Sequence, residues 1–386
     1  MEKFHRDPLN PFPWYEVMRQ HQPVFYSEGS GIWHVFRYAE VKKVLSDHSH
    51  FSSSEGRYES ASNPIGASII STDPPRHTHL RALVNKAFTP KRVQEMAPRI
   101  RAIAEELLDK IMAKGECDLV EDYSGPLPVI VIAELLGIPP EDRMKFKKWS
   151  DALVSGTSEG MNETSNEYFD PQVAMAKYFS EIIRMKRGKP GDDLISSLMG
   201  AEVDGEKLSE IDLLGFCVLL LVAGNETTTN LITNAVLTLS NNADQYRRVI
   251  ADRTLIPDML EEVLRYRSPV QSMFRTCRKD IELGGKLIQK GQVVLAWIGS
   301  ANHDAAEFQK PEEFLMDRRP NRHIAFGEGV HFCLGAPLAR LESKIAMETL
   351  LERAGKATLK EGTQLEPLSG IIVFGVKHLP VSFSSE

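Results

Sequence analysis

The thiol of Cys333 stands where a glycine-rich loop gives way to a helical pattern, in the run Phe-Gly-Glu-Gly-Val-His-Phe-Cys-Leu-Gly-Ala-Pro-Leu-Ala-Arg from Phe326 to Arg340. Gly327, Gly329 and Gly335 bracket it, and glycine lets a backbone take positive φ or lie close against another body. Leu334, Leu338, Leu341 and Ile345 keep helical spacing, which puts the sulfur near a helix N-terminus. Unpaired amides and the positive dipole end there favour thiolate over thiol. A thiolate approached by bare backbone is a soft metal ligand or a nucleophile, and the loop by itself leaves both open.

A second group with chemistry is Ala223-Gly224-Asn225-Glu226-Thr227-Thr228, inside an otherwise apolar helical stretch. Gly224 costs about 1 kcal/mol against alanine in a helix interior, and a carboxyl buried beside two hydroxyls costs more. Such local conflict marks function. An acid paired with an alcohol can hand on protons where open water is kept out. His77 and Arg81 are four apart and share a helical face, whereas His77 and His79, two apart, diverge, which removes a zinc reading. Glu262 and Arg265, three apart, can pair on their own helix.

The elements that hold these groups follow from periodicity. Ser209-Glu210-Ile211-Asp212 opens as a capping box, and no proline follows until after Asn241-Asn242. A helix of about 30 residues is about 45 Å long, enough to cross a domain. Its first half is apolar all round and so buried. Val24–Tyr26 and Trp33–Arg37 flank Ser-Glu-Gly-Ser-Gly as a predicted hairpin, and Ile281–Leu283, Gln292–Ile298, Ile371–Phe374 and Leu379–Phe383 read as strands. Long polar stretches from Phe51 to Ile69 and from Ser155 to Asp170 read as connections, the second between two helices.

Composition narrows the class. The 386 residues carry 42% hydrophobic and 26% charged side chains, ordinary for a globular protein. A net charge of −7 argues against nucleic acid as a partner. The first fifteen residues hold no apolar signal core, and the run Leu213–Ala223 is short for a bilayer, so a soluble, cytoplasmic protein is expected. Four cysteines without CxxC spacing suggest neither a zinc knuckle nor a disulfide framework.

Phe-Gly-x-Gly-x-His-x-Cys-x-Gly followed by Ala-Pro-Leu-Ala-Arg resembles the haem-ligand loop of the cytochrome P450 family. Asp73-Pro74-Pro75-Arg76-His77 with Arg81, and Ala223-Gly224-x-Glu226-Thr227-Thr228, resemble two further segments of that family, in the family's order. The resemblance implies one large, mainly helical domain over residues 1–386, with a small β-rich portion from about 23–37, 281–298 and 371–383. It implies haem b with Cys333 as thiolate axial ligand, cradled by Phe326 and Gly335. His77, Arg81, Arg275 and His331 would bind its propionates, and Ala223 and Gly224 would make room above it.

Glu226 and Thr227 would deliver protons during O2 activation, and Glu262, Arg265 and Arg318 would lock the fold as an ion network. Ile65, Ile69, Val218, Val222, Val270, Gln271, Met273, Phe274, Ile372 and Val373 are the expected substrate-pocket walls. The implied reaction is hydroxylation of a lipophilic molecule of fatty acid, terpenoid or steroid class by a monomeric monooxygenase. The chain has no flavin or iron–sulfur segment, so its two electrons would come from a ferredoxin or flavodoxin with its reductase. Lys86, Lys91, Arg92, Arg340 and Lys344 are expected to meet that acidic donor. A haem-thiolate sensor without turnover and a peroxide-driven hydroxylase are the alternatives. Retention of Glu226 and Thr227 argues against both.

Overall fold

The computed structural model describes residues 6–54, 68–142, 145–146, 149 and 169–384. The expected pocket residue Ile65 and most of the Ser155–Asp170 connection, residues 155–168, lie outside them.

The long helix runs from Glu210 to Ser240, 31 residues, and opens on the capping box: the Ser209 hydroxyl accepts from the Asp212 amide while the Asp212 side chain accepts from the Ser209 amide. It packs against Pro126–Leu135, Ile256–Tyr266 and Ala336–Ala354, and the last of these lies on Ala97–Ile111. By length and composition this helix could cross a membrane, which the short run Leu213–Ala223 did not suggest, but half of its most apolar window is buried inside the protein. Leu221, Leu231, Ile232, Ala235, Val236 and Leu239 are almost wholly enclosed. Its second half buries polar side chains by turning them onto its own backbone. The Thr233 hydroxyl donates to the Thr229 carbonyl at 2.8 Å and Asn230 Nδ2 to the Glu226 carbonyl at 2.8 Å.

The predicted hairpin is present as Val24–Ser27 against Ile32–Val35. Val293–Ala296 runs parallel to Ile32–Val35 and antiparallel to Met273–Cys277, and Phe51–Ser52 completes a five-stranded sheet. The expectation of a single β-rich portion is corrected at the C-terminus. Pro380–Ser384 belongs to a separate three-stranded sheet, between Lys356–Leu359 and Glu116–Asp118. Residues 371–374 form no strand and make one isolated bridge, Val373 with Val270. Periodicity shows that a segment is extended but not its partner, and here one partner, Glu116–Asp118, is more than 250 residues away.

Candidate active site

A cavity of about 270 Å³ opens between the long helix and the Cys333 loop. One wall is the stripe Phe216, Leu219, Leu220, Ala223, Gly224, Thr227, Thr228 and Leu231 of the long helix. The opposite wall is Phe326, Cys333, Gly335 and the start of helix Ala336–Ala354, with His77, Arg81, Arg275 and His331 at one side.

The loop's shape is set by its glycines. Gly329 has φ +70°, and a Cβ there would stand 2.8 Å from the Ser46 backbone, so no other residue fits. The loop folds back so that the Cys333 amide donates to the Phe326 carbonyl at 2.8 Å. Cys333 lies just ahead of the helix, whose first residue is Ala336. The expectation that this start favours a thiolate meets a stronger effect. Burial pushes the thiol pKa up, and amides of Gly335 and Ala336 with the charges of Arg81 and Arg340 oppose it only in part. A bound cation is then what would hold this sulfur ionised.

At the side of the cavity, the carboxylate of Asp73 is the one negative charge felt by His77, Arg275 and His331 among the described residues. His77 Nδ1 and His331 Nε2 are buried without a hydrogen-bond partner among the described residues, and their rings lie 4.2 Å apart. Burial, with Arg275 beside it, drives His331 down to about 3, and burial takes Arg275 down to about 10. Burial and the crowding of two guanidiniums and two imidazoles disfavour charge here, and Asp73 offsets this only in part, so further carboxylates would be favoured as partners. Together with the buried thiol, this donor set fits an iron porphyrin: Arg81, Arg275, His77 and His331 would take its propionates and Cys333 its iron.

In the long helix, Thr227 lines the cavity and donates to the Ala223 carbonyl at 2.7 Å. Glu226 is turned about 110° from the centre of the cavity stripe, at about 100° per residue. It does not line the cavity, and burial raises its carboxyl to about 7. Gly224 lines the cavity too, but a Cβ there would meet Ile132 Cδ1 at 2.7 Å. Close approach of Pro126–Leu135 therefore accounts for this glycine as much as room above a cofactor does.

The pocket expectations divide by side-chain direction. Ile69, Val270 and Met273 line the cavity. Val218 and Val222 do not: they lie about 150–170° round the helix from the stripe and pack into the main core. Phe274 alternates away from Met273 and Arg275 and joins the cluster of Tyr15, Phe36 and Trp297. Gln271 is fully buried, its carbonyl taken by the Tyr15 hydroxyl at 2.5 Å and its amide donating to the Ser268 carbonyl at 2.7 Å. Ile372 is 38% exposed, and it and Val373 stay off the wall. Leu45, Phe216, Leu219 and Leu220, which sequence reasoning missed, take these places; the last three were legible in the helical phase of Ala223 and Thr227.

Glu262 and Arg265 are fully enclosed and Arg318 nearly so. Arg265 donates to Glu262 at 2.9 and 2.7 Å, and Arg318 Nε to both carboxylate oxygens at 3.1 Å. The five expected docking cations are already engaged: Lys86 donates to the Glu202 carbonyl, while Lys91, Arg92, Arg340 and Lys344 pair with Glu95, Asp192, Glu261 and Glu348.

A cavity with a thiol on one face, a hydroxyl on the other and arginines and histidines at its edge has the features expected of a haem-thiolate protein. The family model for cytochrome P450 matches residues 135–380. A putative cytochrome P450, YjiB of Bacillus subtilis, is 45% identical over 380 residues, 97% of this chain and 94% of its own. Among solved structures, substrate-free CYP109E1 from Bacillus megaterium superposes with a TM-score of 0.94 at 43% identity, covering 98% of this chain and 100% of that one. The same relative in complex with testosterone gives 0.89 at 43% identity, over 97% and 99%. This chain belongs to the cytochrome P450 family and has its fold. It is a monooxygenase, an oxidoreductase whose family uses haem, O2 and a redox partner.

Proposed function

We propose that this enzyme hydroxylates lipophilic molecules of steroid type with O2 and two electrons from a separate ferredoxin or flavodoxin, acting as a cytoplasmic monomer with haem b held through Cys333. The observation that carries the reading is one cavity that brings together Cys333 and Thr227 on opposing walls and His77, Arg81, Arg275 and His331 at its edge. Apart from these groups and Thr228, Glu328 and Glu342, its lining is largely apolar: Ile69, Ile70, Ile132, Phe216, Leu219 and Leu220 can take a hydrocarbon skeleton. Testosterone in the CYP109E1 complex supports the steroid class.

When bound, haem supplies one-electron chemistry and O2 activation. The chain's residues then divide the remaining work. Arg81, Arg275, His77 and His331 fix the cofactor's carboxylates; Thr227 presents a hydroxyl to the cavity; Glu226, neutral below about pH 7, can resupply that hydroxyl's proton from the side of the helix. The aliphatic walls exclude water from the oxidising site.

A panel of steroids, terpenoids and fatty acids, titrated against the haem-loaded protein, tests the substrate class. Steroids are expected to give the optical change that marks displacement of water from iron. They are also expected to yield hydroxylated product with a bacterial ferredoxin, its reductase and NADPH. A panel in which fatty acids alone bind and turn over would overturn the steroid reading.

A further inference from the structure

Arg340 looks from the sequence like a free cation on the helix behind Cys333, but the structure gives it two other tasks. Its guanidinium forms a forked pair with Glu261, Nε to Oε1 at 2.6 Å and Nη2 to Oε2 at 2.9 Å. The same guanidinium lies 4.5 Å from the ring centroid of Phe326. Phe326 in turn lines the cavity and accepts the Cys333 amide at 2.8 Å. Glu261 is also bonded by His323 Nε2 at 3.0 Å, and His323 Nδ1 accepts from the Ala325 amide at 3.3 Å, one residue before Phe326. Burial works to raise the Glu261 carboxyl, yet Arg340 and His323 hold it down to about 2, so it is a carboxylate at neutral pH. Arg340 is among the charges whose field reaches the Cys333 sulfur.

A pair 40% and 30% exposed contributes only about 0–1 kcal/mol to stability. Its placement matters more than its strength. We propose that Arg340, clamped by Glu261 and seated on Phe326, is a positioning cation that sets the electron affinity of the iron held by Cys333. This rests on the reading of Cys333 as a haem ligand. Reduction adds one electron to ferric iron and breaks no bond, and a fixed positive charge beside the thiolate favours the added negative charge. Glu261 offsets part of that field and fixes where the guanidinium stands.

The test is a spectroelectrochemical titration of the ferric/ferrous couple in the haem-loaded protein, with four variants. Arg340→Gln is expected to lower the midpoint potential and Glu261→Gln to raise it. The double variant should return close to wild type, and Arg340→Lys, which keeps the charge but not the fork, should stay nearer to wild type than Arg340→Gln does. Both single-variant shifts should shrink at high salt, since the pair is part exposed. Shifts of the same sign in both single variants, or none, would overturn the proposal, because a packing role alone has no charge sign. A wild-type protein without a thiolate haem spectrum would instead overturn the ligand reading itself.

Discussion

Glu262→Ala is expected to lower the stability of the haem-loaded protein by about 3–5 kcal/mol, the cost of stranding a buried charge. Glu262 has no solvent exposure and accepts from Arg265, Arg318, the Leu315 amide at 3.0 Å and Asn321 Nδ2 at 3.2 Å. Without the carboxylate, two guanidiniums remain buried with only carbonyls around them: Asn302, Pro311 and Glu313 for Arg265, Gln309, Lys310 and Glu313 for Arg318. Those carbonyls belong to the segment that leads into the cysteine loop, so its anchoring loosens too. Denaturant unfolding followed by tryptophan fluorescence measures the loss. The neighbouring Glu261→Gln, in a part-exposed pair, should cost about 1 kcal/mol or less. A Glu262→Ala loss no larger than that would show that the triad does not hold the fold.

Glu226→Gln should slow product formation by about 10²-fold or more, the ordinary contribution of a positioned acid. The wild-type pH profile carries the same information. Burial raises the carboxyl from 4.5 to about 7. The group is therefore protonated below that pH and ionised above it, so proton-limited turnover should fall as pH rises through about 7. The linkage sign agrees. A raised folded-state value contributes stability that is complete below 4.5 and lost as pH rises through about 7. Glu226→Gln should flatten both dependences. Thr227→Ala removes the only hydroxyl of the pair and should divert electrons from product to hydrogen peroxide while leaving reduction intact. Unchanged coupling of electrons to product in Thr227→Ala, or an unchanged pH profile in Glu226→Gln, would assign proton delivery elsewhere.

The parts of the site written as short motifs were legible in the sequence because local spacing determines them. Cys333 with its glycines, and His77 with Arg81 one helical turn on, carry their geometry within a few residues, and Gly327, Cys333, Gly335, His77 and Arg81 line the cavity. The long helix was legible for a similar reason: its capping box and the absence of proline set its ends. Helical phase was available but misapplied. Thr227 at the wall puts Leu220 and Phe216 beside it and turns Val218 and Val222 to the far side. Phe274 follows the same logic in a strand, where period two sends it away from Met273 and Arg275.

What could not be read was pairing at a distance. Glu261 reaches Arg340 79 residues away, and Pro380–Ser384 pairs with Glu116–Asp118 across most of the chain. The expectation that Arg340 meets an acidic donor therefore carried no sign of its fork with Glu261. At Cys333 the amides of the helix start favour the thiolate as expected, and burial of the sulfur is the larger, opposing effect.

The central claim is that Cys333 ligates haem iron. It is tested most directly by the absorption spectrum of the reduced, CO-bound protein beside Cys333→Ser, with Cys117→Ser, Cys217→Ser and Cys277→Ser as controls. A strongly red-shifted, thiolate-type Soret band is expected in wild type and in the three controls, and its loss in Cys333→Ser. A band that survives in Cys333→Ser would contradict the claim.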